Sequence, residues 1–173
     1  MQRRSALKSL TAAVGGLMSL PSWAQAWTPE SVQAPTLLTV AEEDTLAEIV
    51  ETIIPETSTP GAKSLKVHQF ALRMINDCYG ESAQKNLKKG LADTNNAAQQ
   101  AYGKAFAACE EKQRLDLLKK LADNTDTKAF VSMIKSLTIQ GYQNSEYVMV
   151  NIQKYNMAPG FYHGCVPVAT RPK

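Results

Sequence analysis

Apolar residues in the central part of the chain recur at helical spacing and almost nowhere at the alternation of a strand. Leu46, Ala47, Val50, Ile53 and Ile54 fall on one face of a helix that Thr39 opens and Pro55 closes. Glu42 stands three residues after Thr39. That spacing predicts a capping box, in which the hydroxyl takes a free amide and the carboxylate takes the Thr39 amide in return. A second helix over 65–79 carries Val67, Phe70, Ala71, Met74, Ile75 and Cys78 as an unbroken core-facing stripe, and Gly80 punctuates it. Residues 81–106 are polar and alanine-rich, with Leu87, Leu91, Ala98, Tyr102 and Phe106 as the expected buried positions. Further helices are predicted over 110–122, carrying Leu115, Leu118 and Leu121, and over 127–142, carrying Phe130, Met133, Ile134 and Leu137. The one β-leaning stretch, "YVMVNI" at 147–152, continues a helix equally well. The pattern predicts an all-α fold: a small helical bundle over 39–142, followed by an extended, aromatic-rich C-terminal tail over 143–173.

Ahead of the bundle the composition changes. "MQRRSALKSL" places Arg3 and Arg4 before a short apolar stretch diluted by Gly15 and Gly16, closed by Pro21 and followed by Ala24-Gln25-Ala26. A basic start, an apolar middle and a small-residue end make residues 1–26 a signal peptide. The stretch falls short of the ~20 apolar residues that span a bilayer. The paired arginines and weak apolar core point to the twin-arginine route, which carries folded proteins to the periplasm; an ordinary secretory signal that happens to contain Arg-Arg is the alternative. Cleavage after Ala26 leaves a Pro-, Ser- and Gln-rich lead-in over 27–38. The formal net charge of +3 resides in Arg3, Arg4 and Lys8, which have no acid beside them. The mature part is therefore near neutrality and offers no electrostatic reason to bind nucleic acid or anionic lipid.

Candidate chemistry is sparse. No Gly-rich phosphate loop follows a strand, no Cys-x-x-Cys-His haem site is present, and no cysteine pairs stand at zinc or iron–sulfur spacing. Of the two histidines, His68 reads as a polar-face or boundary residue of the second helix. His163 and Cys165 stand two apart in an extended segment, so their side chains point to opposite sides, which is poor geometry for a nucleophile and its base. Catalytic, cofactor-binding and metal-ligating residues are therefore expected to be absent. Three cysteines in an oxidising compartment invite one disulfide and one leftover thiol. A Cys78–Cys165 bridge would pin the tail to the bundle, with Cys109 left near the start of a helix; the alternative is that Cys78 is a buried apolar thiol.

Two stretches have the composition of an interaction surface. "IIPETSTPGA" holds Thr57, Ser58 and Thr59 between Pro55 and Pro60, with Gly61 following, and the prolines reduce the entropy lost when such a loop is ordered. It is a helix connector in any case. From Gly141 onward, Tyr142, Tyr147, Tyr155, Phe161 and Tyr162 accumulate with few charges before Arg171. That is the make-up of an interface core, and it includes Glu146, Pro159 and Gly160.

At these positions the chain resembles the subunit 3 family of gluconate 2-dehydrogenase and related periplasmic sugar dehydrogenases. "ETIIPETSTPGA" is similar to that family's loop, "MINDCYG" to its helix end, and "GY…SEY" with "PGFYHGCVP" to its C-terminal motif. The resemblance implies a noncatalytic subunit without a cofactor of its own. Its partner is a large FAD-dependent flavoprotein of the glucose–methanol–choline type that oxidises a sugar or sugar acid. In such complexes a c-type cytochrome carrying haem is often a further subunit, and the resemblance implies that the membrane is reached only through the complex. The small subunit would carry the export signal for the flavoprotein, which explains why a chain without a cofactor site should fold before export. The competing expectation is a free-standing periplasmic binding or assembly protein.

Overall fold

The computed structural model describes residues 37–158. Five α-helices, α1 (Val40–Ile53), α2 (Val67–Cys78), α3 (Glu81–Tyr102), α4 (Glu111–Asp123) and α5 (Thr125–Gln143), form an all-α bundle. A 3-10 turn at Phe106–Ala108 joins α3 to α4, and a π-helical turn at Val148–Ile152 follows α5. No strand occurs among the described residues, and none of their helices is long and apolar enough to cross a membrane.

Each helix begins where local chemistry lets it. The capping box at Thr39 forms as its spacing predicts: Glu42 Oε2 accepts from the Thr39 amide at 2.8 Å, and the Glu42 amide donates to the Thr39 hydroxyl at 3.4 Å. The Thr39 amide and the Thr39 hydroxyl, which also donates to Glu42 Oε2 at 2.8 Å, together hold the Glu42 carboxyl below the usual carboxylate pKa range. Glu110 and Gln113 make the equivalent reciprocal pair at the start of α4. Asn124 serves both neighbours at the α4–α5 junction. Its amide closes α4 on Lys120 at 3.2 Å, and its side chain accepts from the Asp126 amide at 3.0 Å to open α5.

The core is one cluster shared by all five helices, with Leu46, Ile49 and Val50 of α1 packed with Ile75, Leu87, Leu91, Phe106, Phe130, Ile134 and Leu137. Phe130 is 1% exposed because α3 contributes a glycine at the contact; an added Cβ on Gly90 would lie 2.6 Å from Phe130 Cδ1. The polar side chains inside are satisfied locally. The hydroxyls of Thr45, Thr52, Thr94 and Thr138 donate to carbonyls one helical turn back, at 2.6–2.9 Å. Asn95 of α3 ties two further elements together, donating to Thr45 Oγ1 and accepting from the Phe106 amide, each at 3.1 Å.

Two expected core positions are corrected. Leu115 is 42% exposed, and Leu117 lies buried with Leu118 and Leu121 instead. At 3.6 residues per turn Leu115 stands roughly 110° from the centre of that face. Cys78 is exposed, which excludes the buried-thiol reading. Its direction on α2 follows the Val67–Ala71–Ile75 stripe, but residues 76–79 are exposed all round, so the last turn extends beyond its neighbours. Tyr102, Phe70 and Met133 are half-buried at the margin of the core, while Cys109 is buried and its thiol donates to Ala105 O at 3.4 Å.

Candidate partner-binding surface

The connector between α1 and α2 is a built loop. Glu51, on the last turn of α1, spans it with one carboxylate: Oε1 accepts from the Glu56 amide and Oε2 from the Lys63 amide, each at 2.8 Å. The Ala62 amide returns to Ile54 O at 3.0 Å, and the Thr57 amide to Thr59 O at 3.0 Å. Ser64 Oγ adds a 2.6 Å bond to Glu56 Oε2. Gly61 sits buried in the throat of this arrangement, where a Cβ would stand 2.6 Å from Glu51 Oε2 and 2.7 Å from the Glu56 amide. The prolines fix φ on the outside and the carboxylate fixes both arms from the inside.

Ion pairs anchor the base of the loop. Lys63 Nζ meets Glu48 Oε1 at 2.5 Å, and the other Glu48 oxygen pairs with Arg114 of α4. Burial depresses the Arg114 pKa from its ordinary value, and among the described residues its Nε has no hydrogen-bond partner. His68, one position into α2, is half-buried at the boundary its sequence position suggests. Burial lowers its pKa against the opposing pull of Glu43, whose carboxylate lies 3.9 Å from Nε2. Nδ1 of His68 is buried without a partner among the described residues.

The end of α5 closes over the same loop. Tyr142 donates its hydroxyl to Pro60 O at 3.0 Å, and Gly141 beside it is buried against α2. The chain then bends: Ser145 Oγ donates to Tyr142 O at 2.7 Å, and Val148 is buried at the start of the π turn. Exposed large apolar side chains concentrate beyond this point in Val150, Ile152, Tyr155 and Met157, whereas Val40, Tyr79, Leu115 and Ile139 are scattered elsewhere. Exposed apolar side chains gathered in one short strip of sequence on an otherwise polar bundle mark a place where another surface packs.

The two stretches expected to form an interaction surface are thus brought together. Pro55, Thr57 and Glu146 are exposed; Pro60, Tyr142 and Tyr147 are half-buried; Tyr155 is 57% exposed. Gly61 alone among them is buried and serves the loop's construction. Pro159, Gly160, Phe161, Tyr162, His163 and Cys165, together with Arg3 and Arg4, lie outside the described residues, as does the Cys78–Cys165 pairing. Sequence reasoning missed Glu51, although an acid followed closely by a proline-bounded loop with unpaired amides is the signal that finds it. It also missed Leu65, Val150 and Ile152, which line or extend the strip. Among the described residues no group of three or more His, Cys, Asp and Glu side chains is placed to hold a metal ion.

A family model described as gluconate 2-dehydrogenase subunit 3 matches residues 40–160, which takes in the whole bundle, the loop and the strip. No curated protein and no solved structure matches the chain.

Proposed function

The chain belongs to the gluconate 2-dehydrogenase subunit 3 family, and from that membership we propose that it is the noncatalytic small subunit of a periplasmic, FAD-dependent sugar or sugar-acid dehydrogenase. In this reading Arg3 and Arg4 direct export of a folded complex, because the flavoprotein acquires FAD in the cytoplasm and leaves bound to this chain. The observation that carries the reading is the joining of the proline loop to the end of α5 through Tyr142 and Pro60, with the apolar strip of Val150, Ile152, Tyr155 and Met157 continuing from it. A surface with a rigid half and an apolar half suits a lasting subunit contact, since little entropy is lost in ordering the loop. In the same reading the exposed Cys78 pairs with Cys165 once the chain reaches an oxidising compartment.

The test is a pull-down of the tagged chain from periplasm with an absorption spectrum of what accompanies it. A flavin band on a larger co-purifying chain supports the proposal; a colourless chain recovered alone favours a free-standing binding or assembly protein. Replacing Arg3 and Arg4 by Lys should strand both chains in the cytoplasm, and continued export of the flavoprotein would count against shared transport. Mass analysis of the exported chain after thiol alkylation reports the pairing, and an alkylated Cys78 removes it.

A further inference from the structure

Between the start of α2 and the turn after α5 runs an open groove lined by Leu65, Ser145, Glu146, Tyr147, Val150 and Asn151. Among the described residues nothing covers its apolar floor: Val150 is 57% exposed, beside the half-buried Leu65 and Tyr147. We propose that the groove is the seat of the chain's own C-terminal segment, with Phe161 and Tyr162 laid against Leu65, Tyr147 and Val150.

Three observations favour this occupant. The first is the path of the chain. Lys154 takes a left-handed conformation with φ of 51°, and the Tyr155 amide donates to Met149 O at 2.8 Å. A non-glycine residue at positive φ is uncommon, and here it turns the chain so that the Tyr155 backbone lies against the π turn at Met149. The second is reach and composition. Phe161 lies three positions beyond Ala158, within about 10 Å of extended chain. Residues 159–173 contain no acid, carry Arg171 and Lys173, and supply Phe161, Tyr162, Val166 and Val168, while the charged residue on the groove is Glu146. The third is mass action: a short tether holds a segment at an effective concentration on the order of millimolar, well above that of a second copy in dilute solution. The inference concerns the isolated chain and does not rest on the flavoprotein, so either proposal can fail without the other.

The test is hydrogen exchange on the full mature chain alone, at concentrations where it sediments as a monomer. Amides of 145–151 should exchange about tenfold faster in the Phe161→Ser/Tyr162→Ser variant than in the native chain, and equally fast in Val150→Asp, with α1 to α4 unchanged in all three. Unchanged exchange in both variants overturns the proposal. So does protection that rises with protein concentration, which assigns the groove to a second copy, or protection that arises only when a partner is added. A photo-reactive phenylalanine at position 161 gives a second, direct reading. Adducts to Leu65 or to 145–151 within one chain support the seat; adducts between chains, or adducts elsewhere only, overturn it.

Discussion

The Tyr142 hydroxyl donates to the Pro60 carbonyl at 3.0 Å, joining positions 82 apart in sequence. Through this bond the end of α5, where the apolar strip begins, is held to a loop that two prolines and one carboxylate already restrain. Tyr142→Phe keeps the ring and removes only the donor. It should lower unfolding free energy by about 0.5–1.5 kcal/mol in urea titration, the ordinary net contribution of one such bond. If loop and strip act as one surface, the variant should also retain less partner in a pull-down at equal protein concentration. Unchanged retention would show that the two halves bind independently.

Glu51 has a larger part in the same loop, because it accepts two backbone amides that make no other hydrogen bond among the described residues. Glu51→Ala should cost about 1–3 kcal/mol for the donors left unpaired. Glu51→Gln should cost less, since one amide oxygen still accepts. Gly61→Ala should resemble Glu51→Ala, because its methyl group enters the space that carboxylate fills. Chemical denaturation of the three variants, with exchange of the Glu56 and Lys63 amides, checks this order.

Gly90→Ala sets helix propensity against packing. In an exposed helix the change would stabilise by roughly 1 kcal/mol. Here the added methyl group meets the Phe130 ring inside the core, so a net loss of about 1–3 kcal/mol is expected. Combining it with Phe130→Leu should recover part of that loss, and a double-mutant cycle from urea unfolding measures the coupling.

What the sequence made legible was local chemistry and helical period. The Thr39–Glu42 box, the helices on either side of the proline loop and the buried Leu46, Val50, Ile75, Leu91 and Ile134 all depend on residues within a few positions of one another. What it hid was set by distant neighbours. Gly90 reads as a weak point in α3 until Phe130 arrives from α5. Glu51 reads as a solvated acid until the loop turns two amides back to it. Leu115 matches a leucine stripe by count, and only the packing of α4 selects Leu117 in its place. The candidate surface was legible as two separate stretches, but their junction at Tyr142 is a tertiary contact that periodicity does not encode.

His68 gives the fold a pH dependence whose sign follows from its surroundings. Desolvation between α1 and α2 lowers its pKa below the ordinary 6.5, with Glu43 and Asp44 opposing and Lys63 and Lys66 reinforcing the shift. The unfolded chain therefore binds this proton more readily than the folded one. Stability is full above about pH 6.5 and falls as the pH drops below that value, levelling once the folded state is itself protonated. His68→Gln removes the titration, so its unfolding midpoint should vary less between about pH 7 and pH 5 than that of the native chain. The Glu42 carboxyl, also depressed, contributes in a lower window: its stabilisation is present above the usual carboxylate range and is lost on acidification through its folded pKa. Urea midpoints across both windows, compared for His68→Gln and Glu42→Gln, separate the two. An equal pH slope in native and His68→Gln chains between pH 7 and pH 5 would assign the dependence to other groups.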